Sequence, residues 1–544
     1  MLQIISGKFF ENGEIVHNEC NGILYSNVAF HTVIPIEYGN IKINTVDWNP
    51  GNPCYVISYD NCIEHIPQTS ILVKIGDNVV IEQLKYILSF SLNAIFDEKE
   101  AGIDALCRRG NVYDNYISSY VTETFDKDRN FTREDWEYSI QFYEKMMHLT
   151  RDEYKVVMRC LAAYHASFSV FSKDISLSYS ILVYALETLS ENFDEYTTSW
   201  SDYDQNIRKK LDALLDNVEV DVAEEIRSIL ISNEHLKLSR RFAQFILKYL
   251  DDEYYKAIDK RQGSEDEVKQ AVVKAYIFRS KYAHELKPIM KQLMNAGISA
   301  SSEIFEFQHE AFFTYSGLLR LVRTVITNFV NSRNVVEKED YAWYGDLPGT
   351  LAVELHPNLW LGKNNDFKFK YINRNFEAIL YCIESDHQVP KMNELVENYA
   401  HNMRSISEKD RDTAYVISWI YVNCIQGLDQ SYIEKIKLML DKCSSITNKC
   451  SIATVVGKSY GMPTEDFDLE DIVSVVDNYN KNKFKKNRIK LPNSIENRIY
   501  NAIAESYKGE DEESSIYWYR KAYRNLVNDK ELQSKIAKEI KIED

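Results

Sequence analysis

The spacing of hydrophobic positions changes character near residue 135. Before it, the runs NGILYSNVAFHTVIPI from Asn21, NIKINTVDW from Asn40 and CYVISYD from Cys54 are rich in β-branched and aromatic residues. Gly22, Gly39, Asn49-Pro50-Gly51 and Asn61 punctuate them, a pattern that predicts short strands joined by turns. Beyond residue 135, Glu, Lys, Leu and Ala rise and apolar residues recur at helical spacing. That spacing predicts helices over 152–165, 177–189, 235–250, 266–284 and 311–330, with Ile181, Leu182, Ala185 and Leu189 on one face of the second. Short connections between long amphipathic helices predict antiparallel neighbours. A loop-like break covers 338–366. The expected architecture is therefore multidomain: a β-rich N-terminal domain over 1–150, an all-α bundle over 151–335, and a helical region over 336–544. Near the end, IENRIYNAIAESYKGEDEESSIYWYRKAYRNL reads as helix–turn–helix. Ala502, Tyr507, Tyr517, Tyr519 and Ala522 fall near the positions of a tetratricopeptide-like unit over 495–530. One copy is visible, whereas repeat units bury their faces against stacked neighbours.

Length and composition agree with this division. A chain of 544 residues is too long for one hydrophobic core. Only 18 Gly and 10 Pro interrupt it, which favours long helices over a succession of tight turns. The 37 Tyr read as amphipathic residues at core edges. The first residues lack a basic stretch followed by a long apolar run, and nowhere do eighteen apolar residues run together, so neither a secretory signal nor a membrane span is expected. The 9 Cys are irregularly spaced, and no Cys/His group has zinc-ligand spacing, so a reducing, cytoplasmic setting without a metal or cofactor is expected. A net charge of −18 opposes non-specific nucleic-acid binding, so any such function needs local basic character.

Two sequence features imitate chemistry. Val456-Gly457-Lys458-Ser459 looks like the end of a phosphate-binding loop, but Ile452 stands where that motif requires its first Gly. Arg159 and His165 form an Arg/His pair without basic neighbours, and His165 reads as a structural residue of a helix.

The pair Arg279 and His284 has more behind it. Val268, Val272 and Ala275 form an apolar stripe whose next member is Arg279, and a guanidinium on a buried stripe is costly unless paired or functional. Pro288 follows His284 by four, so the helix should end or kink near that imidazole. Residues 269–291 carry Lys269, Lys274, Arg279, Lys281, Lys287 and Lys291 against Glu285 alone. Lys237, Arg240, Arg241 and Lys248 add a second basic helix, and two such helices could guide a phosphate backbone.

Tyr276-Ile277-Phe278-Arg279-Ser280-Lys281-Tyr282-Ala283-His284 resembles the Arg-Ser-Lys-x-x-His signature of the Apea-like branch of the HEPN superfamily. Tyr184-Ala185-Leu186-Glu187-Thr188-Leu189, Lys237-Leu238-Ser239-Arg240-Arg241-Phe242-Ala243 and the Leu318–Val330 segment resemble that branch's other helices, in its order, across about a third of the chain. Gly commonly follows the family His, whereas Glu285 stands here.

The resemblance implies a metal-independent endoribonuclease working as a homodimer or higher homo-oligomer, and an antiphage abortive-infection effector that cleaves RNA, tRNA among the candidates, when triggered. A phage-derived protein would be the trigger, and no membrane is involved. Cleavage needs a base, an acid and positive charge on the phosphate. His works near neutral pH, and Arg matches two phosphate oxygens. His284 would be acid or base, Arg279 the cation and Lys281 a phosphate contact. Ser280 would either contact substrate or hold Arg279. Glu187 would either orient Arg279 or be a solvated surface residue. Lys237, Arg240, Arg241 and Lys274 would bind RNA, and products would end in 2′,3′-cyclic phosphate. The alternative is a catalytically inactive HEPN bundle for RNA binding or dimerisation, with a helical platform for protein partners.

Overall fold

Burial alternates along the segment Cys54–Asp60: Tyr55, Ile57 and Tyr59 are buried and the residues between them are not. This is the period a half-buried strand imposes. In the computed structural model of the chain, β1 to β6 are Glu14–Val16, Glu19–Ser26, Ile36–Tyr38, Ile41–Thr45, Cys54–Asp60 and Ile63–His65, and β7 is Phe96–Asp97. The structure describes residues 1–11, 13–30, 35–46, 51–65, 78–107, 117–195, 199–200, 205–216, 218–233, 238–348, 355–361, 371–385, 388–486, 488–526 and 529–540. Five strands form an antiparallel sheet in the order β3-β4-β5-β2-β7, and β1 pairs with β6 as a separate ribbon. Gly22 of β2 lets the helix Asn78–Ser91 close onto the sheet, because a Cβ there would lie 2.6 Å from Ile81 Cδ1. The β-rich region at 14–65 is thus followed by mostly helical middle and C-terminal regions, as the hydrophobic patterning predicts.

The expected middle helices are observed as Arg151–Phe171, Ile175–Phe193, Leu238–Lys248, Glu265–Glu285 and Tyr315–Asn331. Capping boxes start two of them, Thr150 with Glu153 and Ser264 with Glu267. Two further helices, Gln205–Leu215 and Val220–Asn233, lie where no helix was expected. The last middle helix was expected from residue 311 and begins at Tyr315. Residues Glu310–Phe313 instead form β9, paired with β8 (Ile304–Phe307). Gln308 and His309, both in the left-handed region, make the turn between them.

The chain forms two compact units, Met1–Leu351 and Ala352–Asp544. The boundary expected near 150 falls inside the first unit, whose hydrophobic core is continuous from Met1 to Trp343. Long-range polar contacts explain the fusion. Gln3 Nε2 donates to the carbonyls of Met147 (3.2 Å) and Leu149 (2.7 Å), and Lys8 Nζ to Met147 (3.2 Å), closing the end of the helix Arg133–His148. Arg151 pairs with Asp346 at 3.0 Å, which ties part of the expected 338–366 break to this unit.

The described part of the second unit is helical, with a core that includes Phe376, Ile417, Tyr421, Val456, Tyr500 and Trp518. Helices Asn493–Tyr507 and Glu512–Asn525 form the expected helical hairpin. Two of its expected packing positions need correction. Ala502 and Tyr517 are exposed, whereas Ile503 and Ala504 on the first helix and Trp518, Tyr519 and Ala522 on the second are buried. Gly457 sits inside the helix Ile452–Ser459, where a Cβ would meet Met462 Cε at 2.6 Å, so this glycine serves packing.

Candidate functional site

The stripe read from the sequence is buried as a unit. Val268, Ala271, Val272, Ala275 and Arg279 line the inner face of the Glu265–Glu285 helix, with Arg279 8% exposed. Glu187, on the Ile175–Phe193 helix, forms an ion pair with the Arg279 guanidinium. The guanidinium carbon also lies 4.9 Å from the ring centre of Tyr184 and 4.8 Å from that of Tyr276. Among the described residues, Arg279 Nε is buried without a hydrogen-bond partner. Burial lowers the Arg279 pKa, and Tyr184 opposes that shift. The cation is therefore held between two aromatic faces against one carboxylate.

The helix stops at Glu285, one residue past His284, where Leu286 takes the left-handed conformation (φ 51°) and its N–H bonds to the Tyr282 carbonyl at 3.0 Å. Pro288 follows, as helix-breaking chemistry requires. The end is fastened to the start of the Ile175–Phe193 helix. Tyr282 Oη donates to Asp174 Oδ2 at 2.6 Å, and Asp174 also caps that helix by accepting from Leu177 N–H at 2.9 Å. Burial alone would raise the Asp174 carboxyl, but the bonds from Tyr282 and the backbone hold it below the usual range. In return, hydrogen bonding to Asp174 pushes the Tyr282 hydroxyl up to about 12. Ile289 N–H donates to Ser176 Oγ at 3.2 Å.

On this anchored end His284, Lys281, Lys287 and Lys291 are exposed, and Ser280 is half-buried. Among the described residues none of these four exposed groups forms an ion pair. No hydrogen bond joins His284 to Arg279, so the structure brings Arg279 and Glu187 together but leaves the imidazole apart from them.

The wider basic surface is smaller than its sequence suggests. Lys274 pairs with Glu310. Arg241 pairs with Asp194 at 2.6 Å, Lys248 with Glu195 at 3.0 Å and Lys269 with Glu265 at 2.7 Å. Their charge is matched within the chain. Arg240 is exposed. Lys237 lies outside the described residues. The rival pair separates as expected: Arg159 is exposed, while His165 is 7% exposed and bonds through Nε2 to the Phe96 carbonyl at 2.8 Å.

One cluster escaped the sequence reading. His17, Asp60 and Cys62 meet at one end of the main sheet. His17 is 43 residues from Asp60 and 45 from Cys62, so no local spacing could bring it to them.

Comparison with protein-family models, curated proteins and solved structures finds no match for this chain. No described helix is long and apolar enough to cross a membrane.

Proposed function

We propose that the first unit carries a metal-independent endoribonuclease site of HEPN type, completed by a second copy of the chain and active when a trigger releases it. The observation that carries this reading is the end of the Glu265–Glu285 helix. A buried guanidinium is held there by Glu187, and five residues later comes an exposed imidazole, with exposed Lys281 before it and exposed Lys287 and Lys291 after it in the chain. His284 would move a proton to or from the ribose or the leaving oxygen. The lysines would draw the phosphate backbone, and Arg279 would supply the permanent charge. Two such ends across a two-fold axis would supply one acid and one base.

The test is cleavage of total RNA by the purified full chain in EDTA, alone and with phage lysate as trigger, with sequencing of the RNA ends. Cleavage leaving 2′,3′-cyclic phosphate, abolished by His284→Ala, supports the proposal. Equal cleavage by His284→Ala would refute it.

A second reading is favoured by the closure of Arg279 between Tyr184, Tyr276 and Glu187. A guanidinium so enclosed stabilises a bundle whether or not RNA is cut. On that reading the unit binds RNA or dimerises without catalysis. It prevails if the dimer binds RNA and every trigger leaves the RNA intact.

A further inference from the structure

We propose that His17, Asp60 and Cys62 form a binding site for a zinc-class divalent ion that pins the β1–β6 ribbon to the main sheet. The topology supplies the ligands. His17 lies in the connection from β1 to β2, Asp60 closes β5, and Cys62 lies in the connection from β5 to β6. The two connections run side by side, fastened by Asn61 N–H to the Asn18 carbonyl at 2.8 Å. Asn40 Nδ2 fixes the Asp60 backbone by donating to its carbonyl at 2.9 Å.

The donor atoms converge. His17 Nδ1 lies 2.6 Å from Asp60 Oδ2 and 3.6 Å from Cys62 Sγ. All three ligand atoms lie within 4.8 Å of one another. A tetrahedron with Zn–S near 2.3 Å and Zn–N near 2.0–2.1 Å has an S···N edge of about 3.5 Å. The Cys62–His17 edge therefore already has the required length. The Asp60–His17 edge needs to open by less than about 1 Å, since an N···O edge of such a tetrahedron is roughly 3.4 Å. Asp60 Oδ1 is enclosed, and the carboxylate takes hydrogen bonds from His17, Cys62 and the Asn18 backbone, which hold it turned toward the other two ligands.

The mixture of imidazole, thiolate and carboxylate selects a borderline ion. Calcium and magnesium prefer all-oxygen sets. A nucleophilic Cys–His–Asp relay does not fit. Asp60 and Cys62 both face the same imidazole nitrogen, whereas a relay uses the two opposite nitrogens. When the ion binds, the thiol proton leaves to solvent and the imidazole proton moves from Nδ1 to Nε2.

Three protein ligands leave a fourth coordination position for water or a small donor. It would open on a cavity of about 480 Å³ that Ser6, Asn40, His148 and Lys338 also line. His148 is not the fourth ligand through Nδ1, because that nitrogen bonds the Glu144 carbonyl at 2.7 Å. The site uses none of the residues of the proposed nuclease, so the two proposals stand or fall separately.

The experiment uses the full chain, stripped with chelator and then titrated with Zn2+ and Co2+. His17 is 63% exposed and Cys62 half-buried, so Cys62→Ser and His17→Gln should leave the fold intact, which circular dichroism checks. We expect a thiolate-to-Co2+ charge-transfer band that Cys62→Ser abolishes and Cys54→Ser retains. We also expect Zn2+ affinity to fall at least tenfold in His17→Gln, and protection of β1 and β6 amides from exchange to rise with Zn2+ in the wild type only. A band that survives in folded Cys62→Ser, or equal Zn2+ affinity in all variants, overturns the proposal. Whether RNA is cleaved in EDTA bears on the nuclease alone.

Discussion

Replacing Glu187 by Ala should destabilise the first unit by about 3 kcal/mol, nearly all of it through Arg279. Removing one partner of a buried ion pair costs about 3–5 kcal/mol, because the other charge stays behind uncompensated. The side chains here retain 10% and 14% exposure, which puts the cost at the lower end of that range. The aromatic faces of Tyr184 and Tyr276 stay on the guanidinium whether or not Glu187 is present, so they do not reduce this cost. They also hold the guanidinium in place, so escape to water is not free. Glu187→Gln keeps the shape and an acceptor, and should cost about half as much on the scale of a hydrogen bond to a charged group, roughly 1.5–3 kcal/mol. Arg279→Met combined with Glu187→Leu removes both charges and fills similar volume, so it should be near neutral. The assay is urea unfolding together with native-state hydrogen exchange on the helices Ile175–Phe193 and Glu265–Glu285, which reports this pair rather than the second unit. A loss below about 1 kcal/mol in Glu187→Ala, against the range for buried pairs, would show that water already screens the pair. A double replacement as costly as the single one would show that packing, not charge, is what matters.

Other consequences are equally direct. Burial holds the His165 pKa below its ordinary 6.5, so the folded state keeps the ring neutral while the unfolded chain takes up a proton. The His165 contribution to stability should therefore be flat above pH 6.5 and fall as pH drops below it, at up to about 1.4 kcal/mol per unit until the folded ring titrates. Thermal unfolding of His165→Gln should show a shallower acid slope than wild type, and identical slopes would refute the assignment. Gly317 lies in the first turn of a helix, where Ala is intrinsically better by about 1 kcal/mol, yet a Cβ there would sit 2.1 Å from the Glu303 carbonyl oxygen. Gly317→Ala should thus lower stability by about 2 kcal/mol, within the usual cost of overpacking; a gain in denaturation midpoint would contradict the packing. If the helix end binds RNA, Lys281→Gln should weaken binding alike across sequences and reduce the salt slope by about 0.7–0.9. An unchanged slope would remove Lys281 from the interface.

The sequence was most legible where one helix or strand decides the matter. The stripe from Val268 to Arg279 and the helix end before Pro288 depend on residues within a turn or two of each other. Long-range matters were hidden. Gln3, Lys8 and Asp346 fuse the β-rich and helical parts into one core, yet nothing in their local spacing reveals their partners near residue 150. The β8–β9 hairpin turns on Gln308 and His309 rather than Asn-Gly, so the usual signal was missing. The basic helices looked more available than they are because Glu310, Asp194 and Glu195 arrive from other elements. Glu187 was named for a resemblance alone, and the structure sets it against Arg279.

The direction of Arg279 bears on how any reaction could proceed. A helical side chain leans toward the helix N-terminus, and the Arg279 guanidinium does so, lying over Tyr276 rather than toward His284. Five residues along a helix add about 7.5 Å of rise and roughly 140° of rotation, so the two groups of one chain diverge. A phosphodiester at His284 meets an Arg279 that is already engaged by Glu187. Either Arg279 leaves Glu187 when RNA arrives, or it stays put and supports a bundle whose second copy brings another His284. These routes predict opposite results. If departure from Glu187 is required, Glu187→Gln, which weakens the hold, should cleave faster than wild type at saturating RNA, and Arg279→Met with Glu187→Leu should be dead. If Arg279 only supports the bundle, that apolar pair should cleave as wild type does while His284→Ala does not. An apolar pair that is folded and active would remove Arg279 from the chemistry and leave the reaction to the imidazoles and lysines at the helix end.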